Sequence, residues 1–430
     1  MKYLILGSSA AGLFAAEAIR RQVLQSEITV LTADTQPSYS RCLTTYYLSG
    51  EVTEEQLFLR TPEELNALGL DIHYSCEVNK LDPKRRLVFA GAGEAFPYDK
   101  CLIATGASAI TLDIPGASLP EVFTLRCLED AQRMKPLLRP GRRAVIIGGG
   151  LVSLKAAYAL HKQGLEVHVI VSSGHILSQM LNSEAASILA EHLQKHGMNL
   201  ELHSDVLGIG GEKKVESVQL RDGRTLPADL VIVGKGVSPN TAPFLGSGLA
   251  VNKGILVNEY LETNLADVYA AGDVAETWDS VRQTQRINAI WPNATQQGHI
   301  AGLNMTGQHL TYPGSISMNA VDFFGLRIVS AGIIHPLTEE MKQDDGQRAD
   351  GWSCEERCRR QPGELPSYQR LIWQGNILKG YVLIGSPERA GILTALIQTQ
   401  RSLSPTDQKS IRDGKQVEII LKKDSKIRLG

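Results

Sequence analysis

The sequence lacks the features that mark several special classes of protein. It has no uncharged apolar run of about 18 residues, so no membrane-spanning helix is expected. Its six cysteines are mostly scattered singly among 430 residues, which argues against a disulfide framework and favours the reducing cytoplasm. Lys and Arg total 44 against 46 Asp and Glu, so no basic nucleic-acid-binding surface is expected.

The composition that is present is that of a globular protein. Hydrophobic residues make up 43% and charged residues 21%, which disfavours intrinsic disorder and a coiled coil. The length predicts about three domains at roughly 150 residues each. The apolar stretch Tyr3–Ile19 resembles a signal peptide in composition, but its glycines favour a strand, a turn and a helix. Glycine, with 40 residues, stands above its average frequency, and the positions of the glycines are informative.

Two stretches of the chain share the pattern strand, glycine turn, helix, strand. The first begins with the apolar strand Lys2–Leu6 and closes with the strand Ile28–Leu31. The second begins with Arg143–Ile147 and closes with Glu166–Val171. Each stretch is a βαβ unit of roughly 30 residues, which is typical of a parallel sheet. The two units start about one domain apart, so the sequence predicts a duplicated fold.

The first glycine turn has the residue types of a dinucleotide-binding turn. Such a site needs a tight turn, a close backbone approach to the diphosphate and a close helix–strand contact. Gly7 and Gly12 occupy the first and third of these positions, and Ser9 stands where the middle glycine is expected. Thr32 lies where an acid usually holds a ribose hydroxyl, and Asp34 is the nearest carboxylate.

The second glycine turn fits the pattern better. Gly148 and Gly150 hold the first two positions, and Ser153 is a small residue in the third. The strand after it ends at Val171 and Ser172, so no acid stands at the ribose position, and no arginine follows before Ser178. We therefore expect NADH in preference to NADPH, without excluding NADPH.

Two further segments complete a specific constellation. Ala104-Thr105-Gly106 precedes the second turn, and Ala271-Gly272-Asp273 follows it at a distance. In this order the motifs resemble the FAD-dependent pyridine-nucleotide oxidoreductases, flavoproteins related to the disulfide reductases. The resemblance implies FAD on the first turn, NAD(H) as co-substrate on the second, and hydride transfer at flavin N5.

The resemblance also implies roles for individual residues. Asp273 would bond the ribityl chain, the backbone of Val78 would meet the adenine, and the helix opening near Asn293 would point at the flavin pyrimidine. The candidate FAD-binding residues are Gly7, Ser9, Ala11, Gly12, Asp34, Arg41, Val78, Ala104, Thr105, Gly106, Gly272, Asp273 and Asn293. The candidate NAD-binding residues are Gly148, Gly150, Leu151, Val152, Ser172 and Gly236.

Cys42 is a candidate catalytic residue. The segment Ser38–Gly50 is similar to NADH oxidases, coenzyme A-disulfide reductases and the large subunit of assimilatory nitrite reductase. The first two carry a redox cysteine at the Cys42 position, where Arg41 and a helix N terminus are expected to lower the thiol pKa. However, the paired-cysteine signature is missing, and Leu43 replaces the usual glycine. A reactive thiol and a packing cysteine beside the flavin both remain open.

Lys155 is the second candidate catalytic residue. Many relatives place a lysine on the flavin side and a glutamate on the helix of the NAD domain. Here Thr44 and Thr45 stand near the lysine position, and Lys155 takes the glutamate position. We hypothesise that Lys155 faces the flavin–nicotinamide junction and stabilises anionic reduced flavin. The alternative is a surface lysine on an exposed helix face.

A narrower resemblance suggests a partner. The residues around Val152–Ala157 and Ser172–Leu181 are similar to FAD subunits of anaerobic multi-subunit oxidoreductases, such as phenylglyoxylate dehydrogenase and tungsten aldehyde oxidoreductase. This implies electron transfer between NAD(H) and an iron–sulfur, ferredoxin-like partner subunit, and leaves room for a homodimer. Residues 409–430 hold seven Lys or Arg against three Asp or Glu, a tail that could attract an acidic partner. A stand-alone NADH oxidase or a CoA-disulfide or peroxide reductase using Cys42 is the alternative.

The predicted fold class is α/β, with two Rossmann-like domains for FAD and NAD and a C-terminal α+β domain. The FAD domain is expected to be discontinuous, at 1–112 and 243–315, around the NAD(H) domain at 113–242. Residues 316–430 would form the α+β interface domain, with antiparallel strands near 327–331, 369–373 and 380–384. The polar stretch Glu339–Pro366 is predicted to be a loop. It contains Cys354 and Cys358, whose spacing predicts one helical face or a loop pair. Two ligands cannot complete a metal site, and both a structural pair and a redox or partner-contact role remain open.

Overall fold

The structure is a computed structural model that describes residues 1–336 and 351–414. The described strands of the first part are β1 (Lys2–Leu6), β2 (Glu27–Leu31), β3 (Asp71–His73), β4 (Val78–Asp82), β5 (Leu87–Ala90), β6 (Glu94–Pro97), β7 (Lys100–Ile103), β8 (Ala107–Ala109) and β9 (Val122–Phe123). The next are β10 (Arg143–Ile147), β11 (Glu166–Val171), β12 (Asn199–Leu202), β13 (Val206–Gly210), β14 (Ser217–Leu220), β15 (Thr225–Pro227), β16 (Leu230–Val233) and β17 (Val237–Pro239).

The last strands are β18 (Ile255–Leu256), β19 (Val268–Ala270), β20 (Ala275–Asp279), β21 (Thr284–Arg286), β22 (Met318–Phe323), β23 (Leu326–Gly332), β24 (Trp352–Arg359), β25 (Ser367–Gln374) and β26 (Ile377–Ile384). The helices are α1 (Ala10–Gln22), α2 (Thr44–Leu48), α3 (Pro62–Leu68), α4 (Leu128–Met134), α5 (Leu151–Lys162), α6 (Ser183–Lys195), α7 (Trp291–Met305), α8 (Ala390–Thr399) and α9 (Pro405–Arg412). Short 3-10 turns lie at Arg41–Leu43, Glu55–Leu57, Lys135–Leu137 and Ala242–Phe244.

Two five-stranded parallel sheets carry the glycine turns. The first has the order β3-β2-β1-β7-β19, and the second has the order β12-β11-β10-β16-β9. In each sheet the central strand is a run of apolar residues that is almost fully buried, as expected when helices cover both faces. These sheets confirm the predicted α/β class with Rossmann-like halves.

The parallel topology positions the candidate site. The carboxyl ends of β1, β7 and β19 meet at one edge of the first sheet, and those of β10, β11 and β16 meet at one edge of the second. In open parallel sheets, ligands bind outside the carboxyl ends of the strands. The candidate residues after β1, β7 and β19 are therefore neighbours, although they lie far apart in sequence.

The chain divides into two compact units by its contacts. One contains Met1–Ser173 and Met198–Ser315, and thus both parallel sheets; the other contains Gly174–Gly197 and Ile316–Gly430. The division into FAD, NAD and C-terminal domains at 112, 242 and 315 stays a prediction. None of the helices in the described ranges is both long and apolar enough to cross a membrane.

The second unit contains the antiparallel sheet β22-β23-β26-β25-β24. Its strands β23, β25 and β26 confirm the antiparallel patches expected from the sequence. The loop expected across Glu339–Pro366 is wrong in part, because β24 runs through it and pairs with β25 from Trp352 to Arg359. This strand is mostly exposed and has no apolar period. It is held in the sheet by backbone hydrogen bonds, which the sequence pattern does not reveal. Residues 337–350 and 415–430, including most of the basic tail, lie outside the described residues.

The strand also corrects the expectation for the last two cysteines. Cys354 and Cys358 lie on β24 rather than on a helix or in a loop, and both are exposed. Four residues apart on a strand, they share one face of the sheet, about 13 Å apart along it. That separation is too long for a disulfide between them without backbone rearrangement.

Candidate functional site

The first turn requires its two glycines for steric reasons. Gly7 has a φ of +115°, and a Cβ there would lie 2.2 Å from the carbonyl oxygen of Ala104 at the end of β7. A Cβ on Gly12 would lie 1.8 Å from the carbonyl oxygen of Gly7. Only glycine permits this φ and these backbone approaches, so β1, α1 and β7 converge tightly at the turn.

The N terminus of α1 is prepared to bind an anion. Ser9 is the N-cap residue, yet within the described chain its hydroxyl caps no backbone N–H, and the first turn of the helix holds no acidic residue. The first N–H groups of the helix, including that of Ala11, therefore remain available to an external acceptor. The helix dipole adds attraction for a diphosphate at the same place.

An ion pair beside the turn involves two of the predicted FAD-binding residues. Arg41 donates to both carboxylate oxygens of Asp34, at 3.0 and 2.7 Å, and its other terminal nitrogen donates to the carbonyl of Arg126 at 2.9 Å. Arg41 is thus engaged with Asp34, instead of acting on the Cys42 thiol as the sequence suggested. Thr32, at the expected acid position, is buried and accepts from the Ser8 hydroxyl at 3.0 Å.

Arg126 is the residue that the sequence analysis missed. It follows β9, and it donates from Nη2 to Asp273 at 2.8 Å and from Nε to the carbonyl of Ala107 at 2.8 Å. Arg126 therefore ties the segment after β19 to the segment after β7. No motif in the sequence marks it, because the three partners are far apart along the chain.

Asp273 follows Gly272, whose φ of +82° forms the return turn after β19. The Gly272 N–H donates to Oε1 of Gln297 on α7 at 2.8 Å. Asn293, in the first turn of α7, is buried and donates to the carbonyl of Asn288 at 3.1 Å. Hydrogen bonds therefore hold the return turn, Asp273 and the start of α7 together in one cluster. Gln297 belongs to this cluster, although no sequence motif marks it.

The surroundings of Cys42 differ from the expectation of an activated thiol. Part of the residue is exposed, and it lies in the Arg41–Leu43 turn near Asp273 and Arg126. The protein atoms packed around its sulfur raise the pKa of the Cys42 thiol, Asp273 raises it further, and Arg126 only opposes this. The predicted lowering of the pKa is therefore wrong, since desolvation and a carboxylate both disfavour the thiolate.

The remaining FAD candidates lie around the same edge. Val78 is buried at the start of β4, and Ala104 is buried directly after β7. The Thr105 hydroxyl donates to the carbonyl of Asn240 at 3.1 Å, and the Asn240 amide donates back to the carbonyl of Thr105 at 2.9 Å. Gly106, with a φ of +67°, turns the chain away from the sheet. The structure thus brings β7 and its following loop to the first turn.

Helices α1 and α7 pack closely enough to require glycine at their contact. A Cβ on Gly298 would lie 2.1 Å from the carbonyl oxygen of Ala11, and one on Gly302 would lie 2.6 Å from that of Ala15. This close packing fixes the N terminus of α7 relative to that of α1. Two helix N termini are thereby held at the same edge of the sheet.

The second turn repeats the geometry of the first. Gly148 has a φ of +128°, and a Cβ there would lie 2.2 Å from the carbonyl oxygen of Gly234 after β16. Ser153, in the third position, donates its hydroxyl to the same carbonyl at 3.2 Å. Gly150 is the N-cap of α5, and a Cβ on it would meet nothing within 4 Å. The turn therefore has open space where a cofactor would approach.

The other NAD candidates border this space. Leu151 begins α5, and Val152 beside it is 53% exposed, which is unusual for a large apolar side chain next to a sheet edge. Ser172 follows β11, and Gly236 lies between β16 and β17 with a φ of +92°. The structure thus places these residues around the carboxyl ends of the second sheet, as a dinucleotide requires.

Lys155, on the helix after the second glycine turn, contacts an aromatic side chain of α2, which belongs to the part of the chain around the first parallel sheet. Its ammonium nitrogen lies 4.1 Å from the ring centre of Tyr46 on α2 and 5.5 Å from that of Tyr158. Nearby, Lys162 pairs with Glu51 at 3.0 Å. Lys155 is therefore a half-buried cation at the contact between α2 and α5, not a freely exposed surface lysine.

The residues present fit two dinucleotides. Each parallel sheet ends in a turn with a positive-φ glycine pressed against a neighbouring strand, and each following helix lacks a side-chain cap and an early acid in the described chain. Such helix termini suit phosphate groups. FAD would be held by the first turn with Asp273 and α7, and NAD(P)H would be held by the second turn.

Comparisons with known proteins agree with this geometry. The chain is 33% identical over 333 residues to the epsilon subunit of NADH-dependent phenylglyoxylate dehydrogenase from Aromatoleum evansii, which covers 77% of this chain and 79% of that protein. It is 28% identical over 409 residues to nitrite reductase [NAD(P)H] from Bacillus subtilis, covering 95% of this chain but 48% of the reductase. The chain thus spans about half the length of that relative.

A solved structure has the same fold. An NAD-dependent persulfide reductase from A. fulgidus superimposes with a TM-score of 0.85 at 28% identity, covering 94% of this chain and 77% of that one. The family model described as pyridine nucleotide-disulphide oxidoreductase matches residues 1–298. The chain therefore belongs to the pyridine nucleotide-disulphide oxidoreductase family, whose members are FAD-dependent enzymes that use NAD(P)H.

Proposed function

We propose that this flavoprotein is the electron-transfer subunit of a larger cytoplasmic complex, which passes electrons between NAD(H) and an iron–sulfur partner. The observation that carries the proposal is the environment of Cys42. Burial and Asp273 raise the pKa of its thiol. A disulfide reductase needs a reactive thiolate, and this surrounding opposes one, so the bound flavin is the better candidate for the electron carrier.

The similarity to the phenylglyoxylate dehydrogenase epsilon subunit supports the same proposal. That protein is by name one subunit of an NADH-dependent enzyme, and it matches this chain over more than three quarters of both lengths. A chain of this size with two dinucleotide turns supplies the nicotinamide-dependent half of such a reaction. The partner would supply the other redox centre, and the basic residues beyond position 408 would attract it if it is acidic.

The chain's own residues would orient the two cofactors and exclude water between them. FAD, when bound, supplies hydride exchange with NAD(H) and one-electron exchange with a partner. The N terminus of α1 would hold its diphosphate, and the Arg126–Asp273 pair would fix the return turn beside it. The second turn would hold the dinucleotide diphosphate at α5, with Val152 providing an apolar contact at its open edge. Lys155 would provide a positive charge near the junction.

The alternative is a stand-alone NADH oxidase or a disulfide or peroxide reductase that uses Cys42. The part-exposed position of Cys42 beside Asp273 favours it as a second candidate, and the structural similarity to a persulfide reductase is consistent with it. In this case Cys42 would have to act as a nucleophile, despite the raised pKa of its thiol. A partner polypeptide would then be unnecessary.

Two measurements separate these functions. The protein is purified from its native host with an affinity tag, and the co-purifying polypeptides are tested for iron and acid-labile sulfide. In parallel, the Cys42→Ser variant is tested for NADH-dependent reduction of a viologen dye. We expect an iron–sulfur polypeptide in the purified complex and a viologen rate within about twofold of the unmodified protein.

The opposite results would favour the alternative. If no iron–sulfur polypeptide is retained and Cys42→Ser loses about a hundredfold or more of disulfide or peroxide turnover, Cys42 is the reacting group. Cys358→Ser, an exposed free cysteine on β24, is the matched control and should leave every rate unchanged. A purified protein that contains FAD but is not bleached by NADH or NADPH would exclude both functions.

A further inference from the structure

A lysine lies at the edge of the second sheet where the sequence analysis expected no cation. Lys235 follows β16, and its ammonium nitrogen lies 3.5 Å from the hydroxyl oxygen of Ser172, which follows β11. The two strands flank β10 on opposite sides. The lysine side chain therefore reaches across the carboxyl end of β10, the strand that leads into the second glycine turn.

Ser172 occupies the position at which a side chain contacts the adenosine ribose in dinucleotide-binding sheets. In dinucleotide-binding sheets, an acid at the end of the second strand bonds the ribose 2′-hydroxyl of NAD, whereas a nearby cation accommodates the 2′-phosphate of NADP. Here the strand ends in Val171-Ser172-Ser173, with hydroxyl groups instead of a carboxylate. No acid is therefore present at this position to repel a phosphate group.

The charge of Lys235 is available to a ligand. In residues 1–336 and 351–414, the structure gives its ammonium group no carboxylate within ion-pair distance, and the Ser172 hydroxyl is its contact. A half-buried ammonium beside a hydroxyl is suited to a doubly charged oxyanion, which can accept hydrogen bonds from both.

We propose that Lys235, together with Ser172, forms a 2′-phosphate subsite that makes this chain accept NADPH and prefer it to NADH. The inference rests on the proposed role of the second turn in holding a nicotinamide dinucleotide, and it makes NADP(H), not NAD(H), the preferred co-substrate of the proposed electron transfer. It reverses the preference for NADH that was expected from the sequence, because that expectation took account only of cations close to β11 along the chain. Lys235 is 63 residues away from Ser172 along the chain, and only the order of the strands brings them together.

The test compares two ligands that differ only in the 2′-phosphate. Adenosine 2′,5′-bisphosphate and 5′-AMP are titrated by calorimetry into the FAD-loaded protein, so that the first turn is already filled. We expect the bisphosphate to bind more tightly, and Lys235→Gln to weaken it about tenfold while leaving 5′-AMP unchanged. Lys235→Arg should retain most of the preference. The ratio of kcat/KM for NADPH to that for NADH should fall by the same factor in Lys235→Gln.

Each other outcome contradicts the inference in a recognisable way. Equal weakening of both ligands would place Lys235 on the diphosphate that both cofactors share. Equal affinities in the unmodified protein would show that no 2′-phosphate subsite exists. Failure of both ligands to bind would overturn the proposed role of the second turn itself. Lys213→Gln, which changes an exposed lysine of the β13–β14 connection, is the control and should alter neither affinity.

Discussion

At the scale of single residues, Lys155 is the clearest departure from the pattern of similar flavoproteins. It places a cation on α5 at the position where the resemblance implies a glutamate, and it holds that cation over the Tyr46 ring across the contact with α2. A cation over an aromatic face is attracted by the quadrupole of the ring, which favours a position close to it. Its charge is therefore fixed relative to both halves, which makes its electrostatic effect testable.

We predict that Lys155→Gln lowers the midpoint potential of the bound flavin. Removing a positive charge near the flavin disfavours the electron-rich reduced form, and a loss of about 1.4 kcal/mol corresponds to about 30 mV for a two-electron couple. Photoreduction against a dye of known potential measures the shift. Lys155→Arg keeps the charge and should leave the potential close to that of the unmodified protein. An unchanged potential in Lys155→Gln would assign the residue to packing against Tyr46.

The same scale shows what the sequence could predict and what it could not. Gly7, Gly12 and Gly148 were predictable, because a turn that presses backbone against backbone excludes every side chain. Arg126 was not, because nothing in local spacing links it to Asp273, its partner from a different strand end. The pKa direction of Cys42 was also wrong, because it depends on atoms from several segments that surround one sulfur.

At the scale of elements, the contact between α1 and α7 determines whether two helix N termini reach the flavin site together. We predict that Gly298→Ala destabilises the protein by about 1–3 kcal/mol, because its methyl group would overlap the carbonyl of Ala11. Urea unfolding followed by circular dichroism measures the change. The displaced α7 should also weaken FAD binding in a titration of flavin-free protein.

Gly391→Ala is the matched control for this prediction. Gly391 also lies in a helix, α8, but a Cβ on it would meet nothing within 4 Å. Without a clash, alanine should be neutral or should stabilise the helix by up to about 1 kcal/mol. If both variants lose the same stability, the cost arises from glycine replacement in general and the close helix contact is not its cause.

Elements were predictable to different degrees for a physical reason. Strands β1, β10 and β11 were predicted with the bounds that the structure has, since buried parallel strands are continuous apolar runs between turn signals. The polar strand β24 was missed, because it is held by backbone bonds to β25 along one side and exposes most of its side chains. Composition alone cannot distinguish such a strand from a loop.

At the scale of the whole molecule, the first unit joins its two Rossmann-like halves through the antiparallel pairing of β8 with β17 and through the contact between α2 and α5. Lys162 pairs with Glu51, and the Gln163 amide donates to the carbonyl of Ser49 at 2.7 Å, so α5 of one half is attached to the α2 segment of the other. Exposed pairs of this kind contribute little stability. The orientation of the halves therefore depends more on the β8–β17 pairing, on packing and on bound cofactor than on these pairs.

This dependence predicts that removing FAD lowers the thermal stability of the protein. FAD binds the folded chain, so free FAD at about 100 times its dissociation constant should stabilise the flavin-free protein by about 2.7 kcal/mol. Circular dichroism melts with and without FAD measure the effect. FMN carries the same ring and a single phosphate but lacks the AMP part of FAD, so it cannot place a diphosphate at α1 and should raise the melting temperature much less at the same concentration. An equal rise with FMN would mean that the ring, and not the diphosphate at Gly7–Gly12, supplies the binding energy.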